Sequence, residues 1–175
     1  EEVMPFVYYN VAAGEKIARV SANMAMAADM EVRASSTATT GAYSSACQRG
    51  LPAILMERGG GGRFTDSEVQ AYKRDVKNIM IRMGLLSCEE VHTVQQKNVT
   101  RAEYLEAETD GLWYPVFSAG DTFAGGAVLG TVRDIWGNLL REYRADYPGI
   151  VLYQTVGLGV KAGDPLIAYG EYVDR

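Results

Sequence analysis

The chain is poor in the residues that mark many functional classes. It has a single histidine, His92, so a histidine-built metal centre or a His-based catalytic pair has almost nothing to draw on. It has two cysteines, Cys47 and Cys88, with no framework spacing, which excludes a disulfide scaffold and fits reduced thiols in a cytoplasmic protein. No run approaches the ~20 apolar residues of a membrane span. The N-terminus lacks the charged, apolar, small-residue order of a signal peptide. A net charge of −5 argues against nucleic acid as a partner. The chain begins at Glu1 without an initiator methionine and so reads as a fragment or processed product.

What is present is an ordinary globular composition, 47% apolar, which is enough for a packed core. The character of the chain changes near residue 90. Residues 1–89 alternate strand-like and helix-like segments, which predicts an α/β layer with helices on a mostly parallel sheet. Residues 90–175 are short β-type runs broken by Gly, Asp and Pro, which predicts a separate small β-domain.

In the first part, Val3 to Tyr9 reads as a strand. Asn10 to Ala28 reads as a helix with Ile17, Val20, Met24 and Ala27 on one face, and Tyr43 to Arg49 as a short helix closed by Gly50. Pro52 to Arg58 reads as a buried parallel strand that delivers Glu57 at its carboxyl edge. Four glycines follow, Gly59 to Gly62, suited to positive φ or to close approach of a ligand. They lack the lysine and hydroxyl of a phosphate loop. Thr65 and Glu68 then form a capping box for a helix whose apolar stripe is Val69, Tyr72, Val76, Ile79, Met80 and Met83, ended by Gly84. On residue chemistry alone Glu57 is either a general base or metal ligand, or a strand-end carboxylate paired with Arg58 or Arg63.

In the second part, Phe123-x-x-Gly126-x-x-Leu129 recurs as Val160-x-x-Gly163-x-x-Leu166, each beside a Gly-Asp pair. This predicts two similar hairpins facing each other across a small core, in a pattern that resembles the barrel-sandwich hybrid of biotinyl and lipoyl domains. The stretch matching their carrier hairpin, Arg141 to Gly149, has no lysine, so the fold is expected without the carrier role.

The order Gly50-Leu-Pro-Ala53, apolar run, Glu57, glycine turn and amphipathic helix resembles the catalytic-glutamate region of the succinylglutamate desuccinylase/aspartoacylase family. Asp110-Gly-Leu-Trp113, Gly120-Asp121, Pro148-Gly149 and Ala162-Gly-Asp-Pro-Leu166 resemble that family's terminal β-domain. The resemblance covers nearly the whole chain and implies the C-terminal part of a carboxypeptidase-like zinc hydrolase. Such an enzyme cleaves a linear amide in a small N-acyl amino acid or N-acyl amine. The glutamate matching Glu57 is the general base, and the zinc is held by a His-x-x-Glu segment and a later histidine, all upstream of Glu1. No zinc ligand is expected in this chain. Arg58, Arg63 and Arg49 are candidates for a substrate carboxylate. Some family members carry an arginine ten residues before the glutamate, where this chain has Cys47. A chain of this kind is expected to associate with itself or with the missing N-terminal half. The alternative is a non-catalytic structural or binding module.

Overall fold

The computed structural model describes residues 1–172. The strands are β1 (Glu2–Val3), β2 (Phe6–Asn10), β3 (Val32–Ser36), β4 (Ile54–Glu57), β5 (Lys97–Val99), β6 (Ala102–Glu106), β7 (Gly111–Pro115), β8 (Thr122–Phe123), β9 (Val128–Arg133), β10 (Leu139–Arg144), β11 (Gly149–Gln154), β12 (Gly159–Val160) and β13 (Pro165–Glu171). The helices are α1 (Glu15–Ala27), α2 (Ala42–Gln48) and α3 (Asp66–Arg82). The chain divides into two units. One holds residues 5–58 and 63–100; the other holds residues 1–4, 59–62 and the chain from Arg101 onward. The sequence placed the division between residues 89 and 90.

The first unit is a sheet in the order β4-β2-β3-β5, with all three helices. Strand β2 is central and every residue in it is buried, as a continuous Phe-Val-Tyr-Tyr run requires. It pairs in parallel with β3, which pairs in parallel with β5. On its other side β2 pairs antiparallel with β4, and Glu57 lies opposite Phe6. Two corrections follow. Strand β4 is not an internal parallel strand but the end strand of this sheet, with Leu55 37% exposed. Its Glu57 sits where β2 and β3 begin, opposite the carboxyl ends of those strands.

Helix α1 starts at Glu15; of the face Ile17, Val20, Met24 and Ala27 read from the sequence, Ala27 is buried and the other three are half-buried, while the small residues Ser21 and Ala25 take the other buried positions. Helix α2 ends at Gln48, and Gly50 closes it at φ 84° by donating its N–H to the Cys47 carbonyl at 2.9 Å.

Helix α3 starts at its capping box as expected: Thr65 accepts from the Glu68 N–H and Glu68 accepts from the Thr65 N–H. Its packing departs in part from the expected one: Val69, Tyr72 and Ile79 of the stripe are half-buried, Tyr72 against the core of this unit. The residues buried are Asp75 and Asn78, whereas Val76, Met80 and Met83 of the apolar stripe are exposed. The inward seam is polar because it holds main chain and charges rather than apolar side chains. Asn78 donates Nδ2 to the Val91 carbonyl at 2.7 Å and accepts the Val91 N–H at 3.0 Å. Arg82 pairs with Glu90. These bonds fasten the irregular segment after residue 89 to the α/β unit, and β5 then joins its sheet.

The second unit contains a five-stranded sheet, β1-β11-β13-β6 with β8 beside β11, and a four-stranded sheet, β10-β9-β7-β12. The sequence repeat is real in hydrogen-bond terms. Gly126 donates to the Ala145 carbonyl and Ala145 donates to the Ala127 carbonyl; likewise Gly163 donates to Ala107 and Ala107 donates to Asp164. Phe123, Leu129, Val160 and Leu166 all enter the core at 8, 0, 7 and 0% exposure. The copies are not hairpins, however. The first crosses from the five-stranded sheet (β8) to the four-stranded one (β9), and the second crosses back (β12 to β13). Gly126 and Gly163, at φ 80° and 88°, supply the turn at each crossing. The stretch Arg141 to Gly149 carries β10 across to β11, while the hairpin tip lies at residues 134–138, ordered by Asp134 accepting the N–H groups of Trp136 and Asn138.

The core of this unit is set by rings against glycine. Trp113 is 2% exposed, and a Cβ on Gly130 would stand 2.2 Å from its ring. Gly130→Ala is therefore expected to lower stability by about 1–3 kcal/mol, read from the denaturant midpoint. Gly157→Ala, where a Cβ meets nothing closer than 3.9 Å, serves as the near-neutral reference.

Candidate functional site

Strand β4 hands the chain to Glu57 and Arg58 just before the glycine turn. Gly59, Gly61 and Gly62 have φ of 84°, 60° and 69°, so three of the four glycines occupy backbone that other residues rarely adopt. Glu57 is half-buried. Its charge acts on Tyr72 of α3: burial first, and then the Glu57 charge, push the Tyr72 phenol above its ordinary value. The Tyr72 hydroxyl donates to the Met56 carbonyl at 3.2 Å.

Arg58 does not offer its guanidinium to solvent. Nε and Nη2 both donate to Asp75 Oδ2, at 3.0 and 2.8 Å, and Nη2 also donates to the Asp29 carbonyl at 2.8 Å. The side chains of Arg58 and Asp75 are 9% and 0% exposed. Tyr72 lies beside the pair, its ring centroid 5.9 Å from the guanidinium carbon. The ion pair weighed from the sequence was one between Glu57 and Arg58 or Arg63; the pair that Arg58 makes is instead with Asp75 of α3, so its guanidinium serves as a structural tie. Arg49 caps the end of α2 and Arg63 lies in the turn before α3; both are exposed.

Asp75 Oδ1 accepts the Asp29 N–H at 2.7 Å. Asp29 in turn accepts the Thr93 N–H and hydroxyl, each at 2.7 Å, and the Val94 N–H at 3.2 Å, and it pairs with Arg74 at 2.8 Å. Burial raises its pKa, but the Thr93 and Val94 bonds and Arg74 outweigh burial and hold the carboxyl below its ordinary value. The sequence reading missed Asp29 and Asp75. The one local signal was a carboxylate three residues after Tyr72 on a well-capped helix.

Cys47, the residue ten before Glu57, is buried beneath the approach to β4. Its thiol lies 3.7 Å from Ser21 Oγ and 3.5 Å from the Ala53 carbonyl. His92 is exposed, with Nε2 2.9 Å from Glu90 Oε2. Among the described residues no group of three His, Cys, Asp or Glu side chains is arranged to hold a metal ion. Among the same residues no helix is long and apolar enough to cross a membrane. Trp113 is core, whereas Tyr114 and Trp136 are exposed.

No protein-family model matches the chain. The product-bound ectoine utilization protein EutE (DoeB) from Ruegeria pomeroyi superposes with a TM-score of 0.85 at 22% identity, covering 98% of this chain and 54% of that one. A succinylglutamate desuccinylase/aspartoacylase from Rhodobacter sphaeroides superposes with a TM-score of 0.81 at 21% identity, covering 98% and 55%. The chain has the fold of part of the succinylglutamate desuccinylase/aspartoacylase proteins. It spans about half their length, which fits the C-terminal part expected from the sequence. An N-alpha-acetyl-L-2,4-diaminobutyric acid deacetylase of Halomonas elongata is 27% identical over 127 residues, 69% of this chain and 37% of that protein.

A native carboxyl held below its ordinary value stabilises the fold above the unfolded value, about 3.9 for Asp, and that contribution is lost as pH falls through the folded value. The urea midpoint of this chain is expected to fall on acidification through that range. In Asp29→Asn the acid limb is expected to flatten while stability at neutral pH drops. An unchanged acid slope would remove Asp29 from the account.

Proposed function

We propose that this chain is the general-base and β-domain part of an amide-cleaving hydrolase. In this reading it acts on a small N-acyl amino acid or N-acyl amine, with Glu57 as the base. The observation that carries the reading is the half-buried Glu57 at the exit of β4, joined to a glycine turn and a capped helix, in a chain with this deacylase fold. A carboxylate so placed takes the proton of the attacking water and later delivers it to the leaving amine, provided it reaches both within hydrogen-bond distance.

The zinc implied by the family resemblance has no ligand set among the described residues, so in this reading its ligands come from residues outside this chain. The metal would polarise the amide carbonyl and acidify the water. We also propose that the α/β unit is the C-terminal portion of a carboxypeptidase-like domain, and that the second unit is of the barrel-sandwich type, supported by its repeated sheet crossings. Arg49 and Arg63 keep exposed guanidinium groups suited to a substrate carboxylate. The exposed apolar stripe of α3 supports association with a further segment or a second copy, and the two free thiols support a cytoplasmic setting.

The test is Glu57→Gln in the complete zinc-loaded hydrolase, assayed on N-acetyl amino acids that include N-alpha-acetyl-2,4-diaminobutyrate. Loss of a general base is expected to lower kcat about 10²–10⁴-fold with zinc still bound. Near-normal turnover would overturn the reading.

A further inference from the structure

The two residues that flank Glu57 are each held by α3, and by different chemistry. Before it, the Met56 carbonyl receives the Tyr72 hydroxyl at 3.2 Å. After it, the Arg58 guanidinium is locked on Asp75, whose side chain is fully buried, and on the Asp29 carbonyl. Tyr72 also lays its ring beside that guanidinium, so one side chain touches both neighbours of Glu57. Tyr72 and Asp75 are three apart on the helix and therefore share a face. The phase of that face is set by the Thr65–Glu68 capping box at the helix start.

We infer that Tyr72 and Asp75 are positioning residues for Glu57, clamping the peptide units on either side of it so that its carboxylate is presented in one orientation. The inference rests on the reading of Glu57 as the base. It extends that reading by naming what fixes the base on the α3 side, beyond the backbone pairing of Glu57 with Phe6. A misplacement of about 1 Å is enough to cost on the order of 10²-fold in rate, so a clamp on both sides is a kinetic requirement as well as a structural one. It also accounts for the inward polar seam of α3, because the helix face that could have packed on apolar residues is taken by the clamp.

Tyr72→Phe tests this with little risk to folding, since the ring stays beside Arg58 and only the hydroxyl's bonds to the Met56 carbonyl and the Arg58 main chain are lost. In the full chain, backbone ¹⁵N order parameters at Glu57 and Arg58 are expected near the rigid value of about 0.85 and to fall toward about 0.6 in the variant. Those at Val7 and Val32 in the same sheet should not change, and Lys77→Ala on the exposed side of α3 should alter neither set. In the complete hydrolase, Tyr72→Phe is expected to lower kcat about tenfold with KM within twofold. Unchanged order parameters at Glu57, or an equal change at Val7 and Val32, would overturn the clamp. If Glu57→Gln abolishes turnover while Tyr72→Phe leaves kcat intact, the clamp falls and the base stands. If Glu57→Gln retains turnover, the base reading falls, and the order parameters still decide whether the clamp exists.

Discussion

The α/β unit is organised around two charges taken out of water together, the Arg58 guanidinium and the Asp75 carboxylate. Neither can be buried alone, because an unpaired buried ion costs several kcal/mol. Both therefore need every bond they make, and together with the bonds of Asp29 these connect four parts of the chain. Asp75 binds the end of α1 through the Asp29 N–H, and Arg58 binds the same residue through its carbonyl. Asp29 then gathers Thr93, Val94 and Arg74. A helix constrained this way turns Asp75 and Asn78 inward, and Val76, Met80 and Met83 of its apolar stripe face out.

The same constraint bears on function. In the proposed reading Glu57 acts as a base, which is useful only where it is held, and Glu57 is the last residue of β4, just before the glycine turn. The seam of α3 holds its two neighbours, on one side through Tyr72 and on the other through Arg58. The β unit solves a different problem with a different device. There, glycine turns at Gly126 and Gly163 pass the chain between two sheets, and each turn is closed by a pair of main-chain bonds to an alanine, Ala145 or Ala107. Rings fill the space that the glycines leave, as Trp113 does over Gly130.

Local features were legible in the sequence. The capping box at Thr65 and the helix-ending Gly50 are each written in a few adjacent residues and appear where expected, whereas the Gly126/Gly163 repeat appears as two matching turns at sheet crossings instead of hairpins. The misreadings share a cause. The direction of β4 depends on which strand it pairs with, and an apolar run followed by a carboxylate does not encode that. The roles of Arg58 and Asp75 depend on a contact across 17 residues, and that of Asp29 on contacts across 46 and 64. Helical periodicity marked the stripe Val69 to Met83 as the packing face; Tyr72 of it packs on the core, but the deepest positions go to Asp75 and Asn78. Glu57 was singled out as a candidate by its setting and by the family resemblance, whereas the positioning roles proposed for Tyr72 and Asp75 were not visible in the sequence.

The measurement that bears most directly on this account is a double-mutant cycle on Arg58 and Asp75, followed by urea unfolding of the full chain. Asp75→Leu and Arg58→Met singly each strand a buried charge and are expected to cost about 3–5 kcal/mol. The double replacement removes both charges and is expected to be markedly more stable than either single variant. Single losses that simply add in the double variant would show that the two side chains act independently, and would contradict an α/β unit built around their pairing.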